Sequence, residues 1–101
     1  MFVYNITIKV NNNIEEEWLQ WQKKFHIPEI LATGFFYDHR FFKLLEQDES
    51  DGKTYVIQYF SLEKKDYEEY IQRHASLLRE KAFLKWGHQF IAFRTLLKAV
   101  G

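Results

Sequence analysis

The chain has 101 residues, with 47% apolar and 28% charged side chains, a length that fits one hydrophobic core and a composition that excludes disorder. Lys plus Arg number 14 and Asp plus Glu number 14, so the basic excess that phosphate neutralisation asks of a nucleic-acid or anionic-membrane binder is missing, and with no cysteine there are no disulfides and no thiolate metal sites. Ten Phe, six Tyr and three Trp make up 19% of the chain, more ring surface than so small an interior hides, so some of it is expected to meet a partner or a ligand.

The first segment, MFVYNITIKV, lacks the basic and apolar regions of a signal peptide and alternates instead. Tyr4, Ile6, Ile8 and Val10 share one face of a half-buried strand, with Val3, Asn5, Thr7 and Lys9 on the other. Asn11 to Asn13 stop it, and Asn13 is placed to cap a helix with Glu16 as its reciprocal partner. Ile14, Trp18, Trp21 and Phe25 follow at steps of four, three and four, within about 60° of arc, which predicts an amphipathic helix. Pro28 marks a break after His26, and Gly34 ends the following turn as a left-handed cap.

Phe35 to Leu45 and Thr54 to Ser61 read as the second and third strands, joined by an acidic loop ending in Asp51-Gly52. Ser61 is placed to cap a helix from Leu62 to about Trp86, stopped by Gly87, whose apolar face collects Tyr67, Tyr70, Ile71, His74, Leu77, Leu78 and Ala82. Gln89 to Leu97 forms the last strand. The order is βαββαβ, which predicts one ferredoxin-like α+β domain over residues 1–101: an antiparallel four-stranded sheet with both helices on one face. No apolar run approaches the roughly 20 residues of a membrane span, and the cytoplasm is the expected location.

Alternation assigns Tyr4, Ile6, Ile8, Phe35, Tyr37, Phe41, Tyr55, Ile57, Tyr59, Ile91 and Phe93 to the helix-covered side. The open side then carries Phe36, Phe42, Phe60 and Phe90, too apolar a patch for a solvated surface, and self-pairing into a homodimer through these four phenylalanines is the expectation.

Trp18-Leu19-Gln20-Trp21, His26-Ile27-Pro28-Glu29-Ile30-Leu31-Ala32-Thr33-Gly34, Gln58-Tyr59 and Phe90-Ile91-Ala92-Phe93-Arg94-Thr95 resemble a family of short bacterial proteins built on a domain of unknown function. More distantly, a helix ending in His-x-Pro before a Gly is similar to the dimeric α/β-barrel superfamily, which includes cofactorless monooxygenases, haem-degrading enzymes and small isomerases. That resemblance implies two subunits packed sheet to sheet, with a small-molecule cavity between sheet and helices. Haem degraders are similar in placing a histidine on the second helix, where His74 stands, and an asparagine on the first strand, where Asn5 stands. Their tryptophan near the start of that helix has no counterpart here.

His26, at the helix break, is a candidate proton carrier or a capping group, and Glu29 three residues on is its candidate orienting partner. His74, on the apolar arc of the second helix, is a candidate cavity acid/base or a bonded core histidine. Arg94 interrupts an apolar strand and pairs with a carboxylate, or binds the carboxylate of a ligand. Trp21, Tyr59 and Tyr70 complete the expected ligand pocket, whose occupant would be an apolar or aromatic small molecule. The four histidines show no metal-ligand spacing, and no glycine-rich phosphate loop, dinucleotide fingerprint or RNP pattern is present. No cofactor, nucleic acid or membrane is therefore expected. The leading expectation is a homodimeric small-molecule-binding protein. The alternatives are a small isomerase or cofactorless monooxygenase using a histidine, or a protein-interaction module.

Overall fold

The structure, a computed structural model, describes residues 1–101. Its strands are β1 (Phe2–Val10), β2 (Asp38–Lys43), β3 (Lys53–Ser61) and β4 (Phe90–Lys98), all antiparallel and ordered β2-β3-β1-β4. Two helical runs lie on one face of the sheet. The first comprises α1 (Glu15–Trp21), a π-helical turn (Gln22–His26) and α2 (Ile27–Ala32). The second comprises α3 (Lys64–Tyr70), a π-helical turn (Ile71–Ala75) and α4 (Ser76–Trp86). This is the ferredoxin-like arrangement that the element order predicts. No helix is long and apolar enough to cross a membrane.

The core lies between β1, β3 and the helices. Tyr4, Ile6, Ile8 and Val10 of β1 and Tyr55, Ile57 and Tyr59 of β3 are all buried there, as alternation requires. At one end Tyr4 is ringed by Phe36, Tyr59, Tyr67 and Tyr70. At the other, Trp18 meets Phe41 and Tyr55.

Pro28 does not break the first run. Residues on either side keep right-handed helical dihedrals, and the Ile27 N–H donates to the Gln22 carbonyl five residues back. A proline cannot donate, and its ring crowds the carbonyl four residues back. The wide turn just ahead of Pro28 inserts one extra residue where that crowding would fall. The buried stripe consequently steps Ile14, Trp18, Gln22, Ile27, Ile30, with a step of five at the π turn. Gln22 thus takes the inward position that 3.6-residue periodicity gives to Trp21 and Phe25, and Phe25 is 56% exposed. The second run repeats the device, its buried residues stepping from Tyr70 to Ala75 to Leu78, which leaves Leu77 exposed.

Both expected side-chain caps fail. Ile14 occupies the first cap position without a side-chain bond, and Ser61 is a buried residue of β3, while the second run starts after Glu63. Gly34 and Gly87 do end their helices, at φ +87° and +60°. β2 is shorter than Phe35 to Leu45. The chain leaves Gly34 and drops Phe36 into the core before pairing begins, so Phe36 is not on the open face and Tyr37 packs beside Phe60 there instead.

The face assignment of β4 is reversed. Its register sets Phe90 opposite Val10, Ala92 opposite Ile8 and Arg94 opposite Ile6, and directly paired residues share a face. Phe90 therefore faces the helices, whereas Ile91, Phe93 and Leu97 point to the open side with Phe42 and Phe60. Both faces of this strand are apolar, so alternation alone cannot orient it. Only pairing with β1 does.

Gly52 is not a left-handed turn residue, since Glu46 holds the positive φ of this loop. Gly52 is needed for close approach, because a Cβ there would lie 2.9 Å from the Val10 carbonyl oxygen, a backbone atom. Gly52→Ala should cost on the order of 1–3 kcal/mol, read as a fall in the urea midpoint at unchanged m-value. An unchanged midpoint would show that the loop shifts freely.

Candidate functional site

Beneath the helices lies a small, partly open cavity of ≈ 30 Å³, about the room of one or two waters. Its floor is Ile6, Ile8, Ile57 and Tyr59 of the sheet. The first helical run contributes Trp18, Gln22 and His26, and the second contributes Arg79 and Ala82. Phe90, Ala92 and Arg94 of β4 close the remaining side. Gln22 and His26 are the first and last residues of the π turn, so the extra residue ahead of Pro28 is what brings both onto one wall.

Three of the lining residues each carry a buried polar atom without a hydrogen-bond partner: Gln22 Oε1, His26 Nδ1 and the Tyr59 hydroxyl. Gln22 is 3% exposed and Tyr59 is 0% exposed. Buried polar groups are nearly always bonded, and each orphan costs about 1–3 kcal/mol. Three around one void indicate that something polar belongs among them. A fourth orphan, Trp86 Nε1, lies outside the lining.

The imidazole of His26 stacks on Trp21 at 4.5 Å. Burial lowers its pKa from 6.5 to about 4, with the Glu29 charge opposing and the Arg94 and Lys81 charges reinforcing the shift. Glu29 is engaged elsewhere, because its carboxylate accepts a bond from Lys81 Nζ at 2.8 Å and ties the two helical runs together. The expected His26–Glu29 hydrogen bond is therefore not formed. Tyr59 has its hydroxyl pKa raised well above the ordinary value by burial, with Tyr70 and Tyr4 adding to the effect.

The remaining expected residues separate. Tyr59 and Arg94 line the cavity, but Trp21, Tyr70 and His74 do not. Trp21 packs on His26 and Trp86 and borders a shallow outer groove. Tyr70 is buried in the ring cluster, where burial raises its pKa. His74 is half-buried against Phe35 and Tyr70, makes no hydrogen bond and borders no cavity. The step of five at Ile71–Ala75 is the reason, since it turns Ala75 rather than His74 into the core.

Sequence reasoning misses Gln22 and Arg79. Gln22 is hidden by the π turn. Arg79 donates from Nη2 to the Tyr4 hydroxyl at 2.9 Å, a contact between residues 75 apart in the chain that periodicity does not reveal. No group of three or more histidine and carboxylate side chains is placed to hold a metal ion.

The cavity's chemistry is that of a hydrogen-bonding recess with positive charge on its wall. A neutral imidazole, an amide and a phenol above an aliphatic floor can orient a small polar group.

Among solved structures, a dimeric ferredoxin-like protein from an uncultured marine organism superposes with a TM-score of 0.73 at 13% identity, covering 99% of this chain and 95% of that one. An ethyl tert-butyl ether d (EthD) family protein from Bacillus halodurans gives 0.69 at 11% identity, covering 99% and 100%. SnoaB, a cofactor-independent oxygenase from Streptomyces nogalater, gives 0.61 at 11% identity, covering 97% and 92%. At these identities the likeness is one of fold. No curated protein matches the chain. Residues 1–100 match the family model for Domain of unknown function (DUF4286).

Proposed function

We propose that this chain, which belongs to the DUF4286 family, is a small-molecule-binding protein that acts as a homodimer of one ferredoxin-like domain. A polar group of its ligand occupies the cavity between sheet and helices. The observation that carries this reading is that Gln22, His26 and Tyr59, each with an unpartnered buried polar atom, line a single void. The ligand would supply a donor to the first two and accept from the third.

Pairing through the open sheet face accounts for Phe42, Ile91, Phe93 and Leu97, which lie exposed there. The marine ferredoxin-like neighbour is itself dimeric, which supports a homodimer here. An oxygenase like SnoaB or an isomerase is the second reading, with His26 as proton carrier. Burial that holds the imidazole pKa at about 4 leaves it a weak base at neutral pH, and efficient proton carriers titrate near the working pH. Binding is therefore the reading the site supports better.

Native mass spectrometry of the purified protein tests it. The expected mass is a dimer that retains, or takes up from a small-molecule library, one ligand per protomer. Ala92→Leu, which fills the void from β4, should abolish retention while preserving the dimer. Uptake that is unaffected by Ala92→Leu would place the ligand elsewhere and overturn the reading.

A further inference from the structure

We infer that the cavity selects a small hydroxycarboxylate, held by Arg94 and Arg79 through its carboxylate and by the inner polar atoms through its hydroxyl. This rests on the binding reading above and specifies the chemistry of the ligand.

Arg94 sits on the helix-facing side of β4 opposite Ile6, in a row whose other members are Phe90, Ala92 and Leu96. Its neighbours in that row are half-buried while Arg94 itself is exposed, so its guanidinium stands at the mouth of the cavity and is open to an anionic partner. Yet Arg94 takes part in no ion pair and no side-chain hydrogen bond, and Arg79 has only the Tyr4 hydroxyl. The carboxylate that bears on His26, Glu29, is already held by Lys81 at 2.8 Å. Two guanidinium residues thus line one cavity with no carboxylate between them. The chain as a whole is neutral, so this is a local excess and not a general basicity.

Guanidinium groups match a carboxylate in charge and in planar, forked geometry. The inner atoms ask for something different. Gln22 Oε1 and a neutral His26 Nδ1 without its proton are acceptors and want a donor, which a carboxylate cannot supply. A hydroxyl can, and it can also accept from the Tyr59 hydroxyl. A void of ≈ 30 Å³ admits a hydroxyl-bearing carbon and excludes a ring. One small molecule with a carboxylate toward the arginines and a hydroxyl toward the recess meets both demands.

The probes are glycolate, acetate and glycolamide, titrated at neutral pH and constant ionic strength into the dimer and followed by amide NMR shifts. Glycolate should bind at the cavity, shifting Gln22, Tyr59 and Ala92. Acetate, lacking the hydroxyl, and glycolamide, lacking the charge, should each bind about tenfold more weakly. Arg94→Leu, at an exposed position, should erase the preference for glycolate over glycolamide, and Arg94→Lys should restore part of it. Equal affinities for glycolate and glycolamide, an unchanged preference in Arg94→Leu, or no cavity shifts with glycolate would each overturn the inference. A neutral ligand retained in native spectra and lost in Ala92→Leu would leave the binding reading standing without it.

Discussion

Acidification from pH 6.5 to about 4 should cost the fold roughly 3 kcal/mol through His26 alone. The imidazole is held neutral in the native state by burial, whereas the unfolded chain takes up a proton as soon as the pH falls below the ordinary value of 6.5. Between the two values the unfolded state binds more protons, so stability falls with pH and levels off below about 4. The exposed carboxyls of Asp38, Asp48 and Asp51 also titrate below their ordinary value, so their losses begin where that of His26 is nearly complete. Urea unfolding at several pH values should therefore show a slope between pH 6.5 and 4 that His26→Asn removes. An identical slope in the variant would mean that the imidazole is hydrated in the native state. Bound anion at the arginines would flatten the slope, because it stabilises the imidazolium.

Replacing Phe42 and Phe93 by Asp should convert a dimer into soluble monomers. Phe93 is 64% exposed and Ile91 55% exposed in the isolated chain. Complete burial of such a side chain is worth about 1.5–3 kcal/mol. Two carboxylates per protomer placed in a desolvated face would add repulsion, so dissociation should strengthen by at least about a hundredfold. Light scattering across a concentration series reads this directly. A wild type monomeric at high micromolar concentration would remove the partner from the account, and a dimer that survives both substitutions would place its interface on another surface.

These residues also show what sequence can reveal and where it stops. β1 and β3 were legible because their two faces differ: Tyr4-Ile6-Ile8 against Asn5-Thr7-Lys9 leaves one orientation possible. β4 was not, because Phe90-Ala92-Leu96 and Ile91-Phe93-Leu97 are both apolar, and only the register opposite β1 selects between them. Phe36 escaped for a related reason. Alternation holds only within a strand, and it lies before β2 begins. Both helical runs lie in the segments that periodicity marks, but their starts and the Pro28 break do not follow it, and each contains a π turn that shifts the inward stripe by one residue. That single shift replaced Trp21 with Gln22 in the first run and turned His74 out of the core in the second. The one sequence signal for the first shift was Pro28 inside an otherwise helical pattern, and nothing comparable marks the second. Within the site, the chemistry of His26, Tyr59 and Arg94 was visible as residue types, while their convergence with Gln22 and Arg79 came from tertiary packing.

The most direct test of ligand binding in the cavity is a high-resolution electron-density map, from protein crystallised as purified or soaked with its retained ligand. Density larger than water is expected within hydrogen-bond reach of Gln22 Oε1, His26 Nδ1 and the Tyr59 hydroxyl, continuing toward Arg94. A single isolated water bonded to all three, unchanged after soaking, would contradict ligand binding and make these residues a hydrated part of the core.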